Sequence, residues 1–280
     1  MVTKIIACSD IHIPNFFGIN DIKEILIKFI DICKNIADEN GKLNTRIVIC
    51  GDIFESKINV SNESIVVANW FFNELNKICK TIVVAGNHDL LVDNKDRLDS
   101  LTPIFEIGKF KNIVYIDKQL DYKSGCFQDD NVIWCLYSTF DGFNPPDIKS
   151  AKVKYDEDMY HFVGLIHGDI NGAVTATNHV TVNGLDPNMF EDCGFVIAGH
   201  IHKKQEIKKN GVKIVYCSSI KQKDYGETIT GHGFALWDLS DSDDYTYEYV
   251  NIENENGGFY KFQVNSINDI ENDEEELINL

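Results

Sequence analysis

Apolar positions follow two alternating rhythms over the first hundred residues. Unbroken runs in "KIIACSD" (4–10), "RIVICGD" (46–52) and "TIVVAGNHD" (81–89) read as strands buried on both faces. Between them, "INDIKEILIKFIDICKNIADEN" (19–40) places Ile22, Ile25, Leu26, Phe29, Ile30, Cys33 and Ile36 on one helical stripe. "NESIVVANWFFNELNKIC" (62–79) reads as a second helix. Beyond residue 110 the pattern turns strand-rich, through "NIVYID", "NVIWCLY", "HFVGLIHGD", "FVIAGHIH", "KIVYCSS", "FALWDLS" and "YTYEYVNIE". This order predicts an α/β fold in which two sheets pack face to face with helices outside. Residues 1–250 are read as one domain and 251–280 as an acidic tail, whose end "INDIENDEEELINL" carries six acids and no base.

The buried runs end in unusual company. At their carboxyl ends stand "SDIH" (Asp10, His12), "GDIFE" (Asp52), "GNHD" (Asn87, His88, Asp89), "LIHGD" (His167) and "AGHIH" (His200, His202). Ligands of open α/β sheets bind at the carboxyl ends of strands, so five such ends can share one crevice. In Asp-x-His and His-x-His, residues i and i+2 of an extended chain point to one side and can face one ion. Glycines before Asp52, Asn87 and His200 let the backbone leave the strand where a Cβ would resist. A lone Asp-x-His is common, and Gly-Asn alone is a turn. Five in one chain, each closing a strand, point to metal. Carboxylate, amide oxygen and imidazole together suit Mn, Fe or Zn better than Ca. Seven candidate ligands exceed one open site, and two ions sharing a carboxylate would use them all.

Composition narrows the setting. Eight cysteines are scattered singly with no Cys-x-x-Cys pair, which fits a reducing, cytoplasmic location (the host's, if the chain is viral). No apolar run is long enough to span a membrane, and the N-terminus reads as a strand and not a leader. The formal charge of −18 is unusual for a chain that grips nucleic acid unaided.

The ordered motifs Asp-x-His, Gly-Asp, Gly-Asn-His-Asp, His and Gly-His-x-His, from Asp10 to His202, resemble those of the calcineurin-like metallophosphoesterase superfamily. That resemblance implies a four-layer α/β/β/α sandwich of two mixed sheets flanked by helices. It also implies two divalent metal ions, Mn before Fe or Zn. One would be held by Asp10, His12, Asp52 and His202, the other by Asp52, Asn87, His167 and His200. His88 would be the catalytic histidine and Asp89 its orienting carboxylate.

A narrower likeness is to the SbcD family of DNA repair and recombination nucleases, in a compact phage or viral form. It rests on "GDIFES", on "NKDRLDSLTPI" after the Gly-Asn-His-Asp motif, and on "IHKKQEIKKNGVKIVYCSSIKQKDYGE" before "GHGFALWDL". The last of these resembles the family's hairpin, with Ser218 where glycine is commoner. The likeness implies a Mn-dependent DNA exo- or endonuclease subunit, a coiled-coil ATPase partner of SbcC type, and a homodimer through the first two helices. Phosphate contacts are expected from Arg97, Lys203, Lys204, Lys221 and Lys223, with His232 lining the cleft or capping a turn. The tail from Phe259 to Leu280 is the expected docking segment. The competing readings are a phosphodiesterase or phosphatase acting on a small molecule, such as a nucleotide or a lipid head group, and a non-catalytic scaffold on the same fold.

Overall fold

A computed structural model describes residues 1–254, apart from 92, 95, 96, 242 and 243, together with 258 and 259. Most of the expected docking tail therefore lies outside the described residues. In chain order, β1 (Lys4–Cys8), α1 (Ile19–Asn40), β2 (Thr45–Cys50), α2 (Asn62–Ile78), β3 (Lys80–Val84), α3 (Thr102–Gly108), β4 (Ile113–Tyr115) and α4 (Ile116–Gln119) come first. β5 (Gly125–Asp129), β6 (Val132–Tyr137), α5 (Ile148–Lys154), β7 (His161–His167), β8 (Phe195–Gly199), β9 (Gln205–Lys209), β10 (Val212–Tyr216), β11 (Gly233–Asp238) and β12 (Thr246–Asn251) follow.

The strands form two mixed six-stranded sheets, ordered β12-β11-β1-β2-β3-β4 and β5-β6-β7-β8-β10-β9. Strand alternation explains the layering. Ile6, Cys8, Ile47 and Ile49 face α1 and α2, meeting Phe29, Phe71 and Phe72 in one apolar layer. Ile5, Ala7, Val48 and Cys50 face the other way, onto Trp134, Leu165, Phe195 and Trp237 between the sheets. The far side of the second sheet, with Cys135, Ile166, Val196 and Tyr216, packs on Ile148 of α5 and on Phe190. The result is the expected α/β/β/α sandwich, with a thinner outer cover on the second sheet. α1 buries the predicted stripe except at its last turn, where Ala37 is buried in place of Ile36.

β1, β2 and β3 run parallel in the first sheet, and β7 and β8 run parallel in the second. Their carboxyl ends come together across the sheet–sheet seam. An isolated parallel bridge between Ser9 and Ser219 joins the two sides there.

Candidate metal centre

Each strand ends in a turn that aims a polar side chain into the seam. Asp10, His12 and Asp52 adopt φ of 51°, 50° and 51°, and His200 adopts 92°, a left-handed conformation that such residues rarely take. Outliers of this kind persist only where surroundings enforce them, and they gather at functional sites. Here the enforcement is backbone pairing: Asp10 N–H donates to Gly51 O (3.1 Å) and His12 N–H to Asp52 O (3.0 Å). Gly51 has φ +89°, and a Cβ on it would lie 2.1 Å from Nδ1 of His167. At Gly86 the need is space: its Cβ would fall 2.1 Å from Oδ1 of Asp52.

The folded chain collects six of the seven predicted ligands, together with His88, into three overlapping groups, Asp10–His12–His202, His12–Asp52–His88 and Asp52–His167–His200, with candidate ligand atoms within 4.8 Å of one another in each. Asn87 joins through Oδ1, 2.8 Å from Nδ1 of His200. Nε2 of His12 and Nε2 of His202 face each other at 3.2 Å. Nε2 of His167 is buried without a hydrogen-bond partner, and lies 3.2 Å from Asp52 Oδ2. Buried ring nitrogens converging on buried carboxylates, with no lysine or arginine paired to Asp10 or Asp52 among the described residues, fit divalent cations. Asp52, central to two of the groups, could serve two ions at once.

The electrostatics agree with a cation site. Burial alone would raise the Asp52 carboxyl, but His167 and His12 hold it well below the usual range. Burial alone would lower His167, yet Asp52 and Asp10 push it up. His202 is likewise raised against its burial by Glu227 and Asp10.

One expectation is corrected. Asp89 does not orient the His88 ring: its buried carboxylate accepts from the N–H groups of Ile53, Phe54 and Gly86. It staples the turn after β2 to the turn after β3. The ring of His88 is held by a backbone carbonyl, with Nδ1 2.6 Å from Glu55 O, and the backbone N–H of His88 donates to Asp52 Oδ1 (2.7 Å). Burial pushes the Asp89 carboxyl up to about 7, helped by the Asp52 charge and opposed by the amides.

Among the other expected contacts, Lys203 and Lys204 lie beside His202 in an adjoining cavity that His232 also lines. His232 is a structural residue there: Nδ1 pairs with Ser219 Oγ (2.9 Å) and Nε2 with Thr228 O (2.7 Å). Arg97 is exposed and belongs to none of the three ligand groups. Ser218 takes the glycine-like conformation directly, with φ 80°, and its hydroxyl donates to His202 O (2.8 Å).

Two partners of the cluster carried no role in the sequence reading. Glu227 sets Oε1 2.5 Å from Nδ1 of His202, orienting that ring. Glu55 pairs its carboxylate with Lys223 and brings it within 3.8 Å of His12 Nδ1. Both stand inside stretches quoted above, the one ending in "KQKDYGE" and "GDIFES", but no spacing rule singles out their partners.

Comparison with known proteins agrees with this architecture. Residues 3–242 match the calcineurin-like phosphoesterase superfamily domain, and the chain belongs to that superfamily. It is 32% identical over 254 residues to protein R555 of Acanthamoeba polyphaga mimivirus, covering 89% of this chain but only 18% of that protein. It is 26% identical over 230 residues to a protein named as a phosphoesterase, 244L of Invertebrate iridescent virus 6, covering 80% of this chain and 72% of the relative. Similar solved structures include phosphopantetheinyl hydrolase from Mycobacterium tuberculosis (11% identity, TM-score 0.40, 78% of this chain and 90% of that one). A protein from Staphylococcus aureus titled a 5'-nucleotidase matches at 11% identity and TM-score 0.49, over 99% of this chain and 58% of that one. Likeness at that level says nothing about substrate. No helix among the described residues is long and apolar enough to cross a membrane.

Proposed function

We propose that the protein is a dinuclear-metal phosphodiesterase that cuts DNA, working as the nuclease subunit of an SbcCD-like repair or recombination complex. The observation that carries the hydrolase reading is the Asp52-centred convergence of carboxylates and imidazoles from five strand ends. Asp10, His12, Asp52 and His202 would hold one ion, and Asp52, Asn87, His167 and His200 the other; the mixed oxygen and nitrogen donors suit Mn, Fe or Zn, and the family likeness puts Mn first. When bound, such a pair polarises phosphoryl oxygens and makes water nucleophilic at neutral pH.

The chain's own residues do the rest. With Nδ1–H donated to Glu55 O, His88 leaves Nε2 free to hold or pass a proton at the leaving oxygen. Burial keeps His88 below the ordinary histidine range, against the pull of Asp52. The negative charge of an arriving phosphate would favour the protonated ring and ready it as an acid. Glu227 holds the His202 ring, and Asp89 fixes the loop carrying His88.

The nuclease assignment rests on the likeness of the segments flanking the cluster, and the ATPase partner, the homodimer and a docking role for the tail come with it. The charge of −18 favours a second reading, a phosphodiesterase or phosphatase of small molecules, because free DNA would be held weakly at ordinary salt. Digestion of linear single- and double-stranded DNA with Mn, with and without a coiled-coil ATPase, beside a panel of nucleotides, separates the two. DNA left intact under all conditions while nucleotides are cleaved would sink the nuclease reading.

A further inference from the structure

Two cavities border the ligand cluster, and they are chemically unlike. One, of about 460 Å³, is lined by His202, Glu227, Lys203, Lys204 and Asn178. The other, of about 400 Å³, is lined by Asn87, His167, His200, Phe143 and Leu185. The cluster thus has an opening at its His202 end and another at its His200 end.

The first opening is cationic in a way the composition makes improbable. With 44 acids against 26 bases, a lysine readily finds a carboxylate. Lys4, Lys77, Lys80, Lys118 and Lys213 each have one within 3.0 Å. Among the described residues Lys203 and Lys204 have neutral amide partners instead, Asn178 Oδ1 at 2.9 Å and Asn251 Oδ1 at 3.2 Å. The nearest acid in the cavity wall, Glu227, is already spent on His202 Nδ1 and the Lys223 N–H. Two lysines adjacent in the chain thus line this cavity with no carboxylate partner among the described residues, and can both meet an external anion.

The second opening offers a ring. Phe143 sits at φ 63°, a conformation a bulky residue seldom adopts, and its N–H donates to Ser138 O (2.8 Å). Its ring lies so close over Gly168 that a Cβ there would come within 3.0 Å of Cζ. A glycine beside His167 thus leaves room for the half-buried Phe143 ring to line this opening, where it can stack on a planar group.

A phosphomonoester has one substituent on phosphorus and a diester has two. We propose that the substrate is a phosphodiester with unlike arms. One arm is a flat base stacked on Phe143 at the His200 end. The other carries a second phosphate, seated on Lys203 and Lys204 at the His202 end. This rests on the phosphodiesterase reading above and narrows it to nucleotides bearing a phosphate next to the scissile one.

The test is steady-state hydrolysis by the full-length, Mn-loaded protein of p-nitrophenyl phosphate, bis(p-nitrophenyl) phosphate, TpT, pTpT and TpTp. One of the two phosphorylated dinucleotides should show a KM about tenfold below that of TpT, the size of one added charge-assisted contact. That ratio should shrink toward unity in a Lys203→Ala/Lys204→Ala double variant and return with arginine at both positions, while Phe143→Ala raises KM for TpT. Equal KM for TpT and both phosphorylated forms, an unchanged ratio in the double variant, or preference for the monoester would overturn the proposal while leaving a phosphoesterase. No turnover even of bis(p-nitrophenyl) phosphate would remove the underlying reading as well.

Discussion

At His88 the ring and the carboxylate that follows it in the chain part company. The ring turns to Glu55 O, while Asp89 turns to three backbone amides. Sequence spacing places both residues at the site, but only folding decides which way each points. His88 belongs to one candidate ligand group with His12 and Asp52, so its role as acid or ligand is open to direct measurement. His88→Ala should retain both metals by elemental analysis and lose about 10²- to 10⁴-fold in turnover, the usual share of a general acid. Loss of a metal equivalent would make it a ligand. The convergence of the seven candidate ligands was legible because i, i+2 spacing and strand ends are properties of the chain itself. Glu227 and Glu55 were not, since their side-chain partners, His202 and Lys223, stand 25 and 168 residues away.

At the scale of elements, the two sheets are tied by a buried ion cluster at the amino ends of β2 and β3, opposite the ends that carry the ligand motifs. Asp129 on β5 accepts from Arg46 Nε on β2 (2.7 Å) and Lys80 Nζ on β3 (2.8 Å). Asp129→Ala should cost about 3–5 kcal/mol, because the buried guanidinium loses its counter-charge. A urea midpoint lowered at constant slope would register that cost, and an unchanged midpoint would refute it. Burial would raise the Asp129 carboxyl, yet the bonds from Arg46 and Lys80 hold it below its ordinary value. Its folded pKa is depressed, so the stabilisation is present above about pH 4 and disappears as pH falls further, through the folded value. A second prediction concerns the turn after β3: Gly86→Ala must displace Asp52, whose backbone nitrogen lies 2.3 Å from the added Cβ. Calorimetric titration should find Mn affinity reduced about tenfold or more. Affinity equal to the parent would mean that the turn yields freely.

The strands missing from the hydrophobic pattern are instructive at this scale. β5 ("GCFQD") and β9 ("QEIKK") are the two edges of the second sheet. An edge strand has one unpaired side and carries polar residues, so it leaves no apolar run to read. β9 is legible only through the likeness of the β9–β10 hairpin. The short helices α3, α4 and α5 are missing for another reason, being too brief to establish a 3.6-residue period.

For the molecule as a whole, the charge of −18 makes cations structural as well as chemical. Asp10 and Asp52 are buried beside His12 and His167, and a divalent ion relieves that crowding only in the folded state. Mn at about a hundred times its dissociation constant should stabilise the fold by about 2.7 kcal/mol per site, raising Tm by about 5–10 °C. A chelator should reverse the shift, and a flat melting temperature across a Mn titration would argue against any ion in the cluster. Layering and class were legible because parallel strands buried on both faces announce themselves. The seam between the sheets was not, because no local pattern records which strand ends face each other.

β1 lies inside its sheet, between β2 and β11, with Lys4 opposite Asp238. β1 must therefore wait for a strand whose paired residue, Asp238, stands 234 residues after Lys4 before that edge is covered. Until then the nascent chain presents an unpaired apolar ribbon, a state prone to mispairing and one that helper proteins would have to shield. Closure of the first sheet thus waits on a strand remote in the chain, and a chain cut short before β11 would keep that edge open to aggregation.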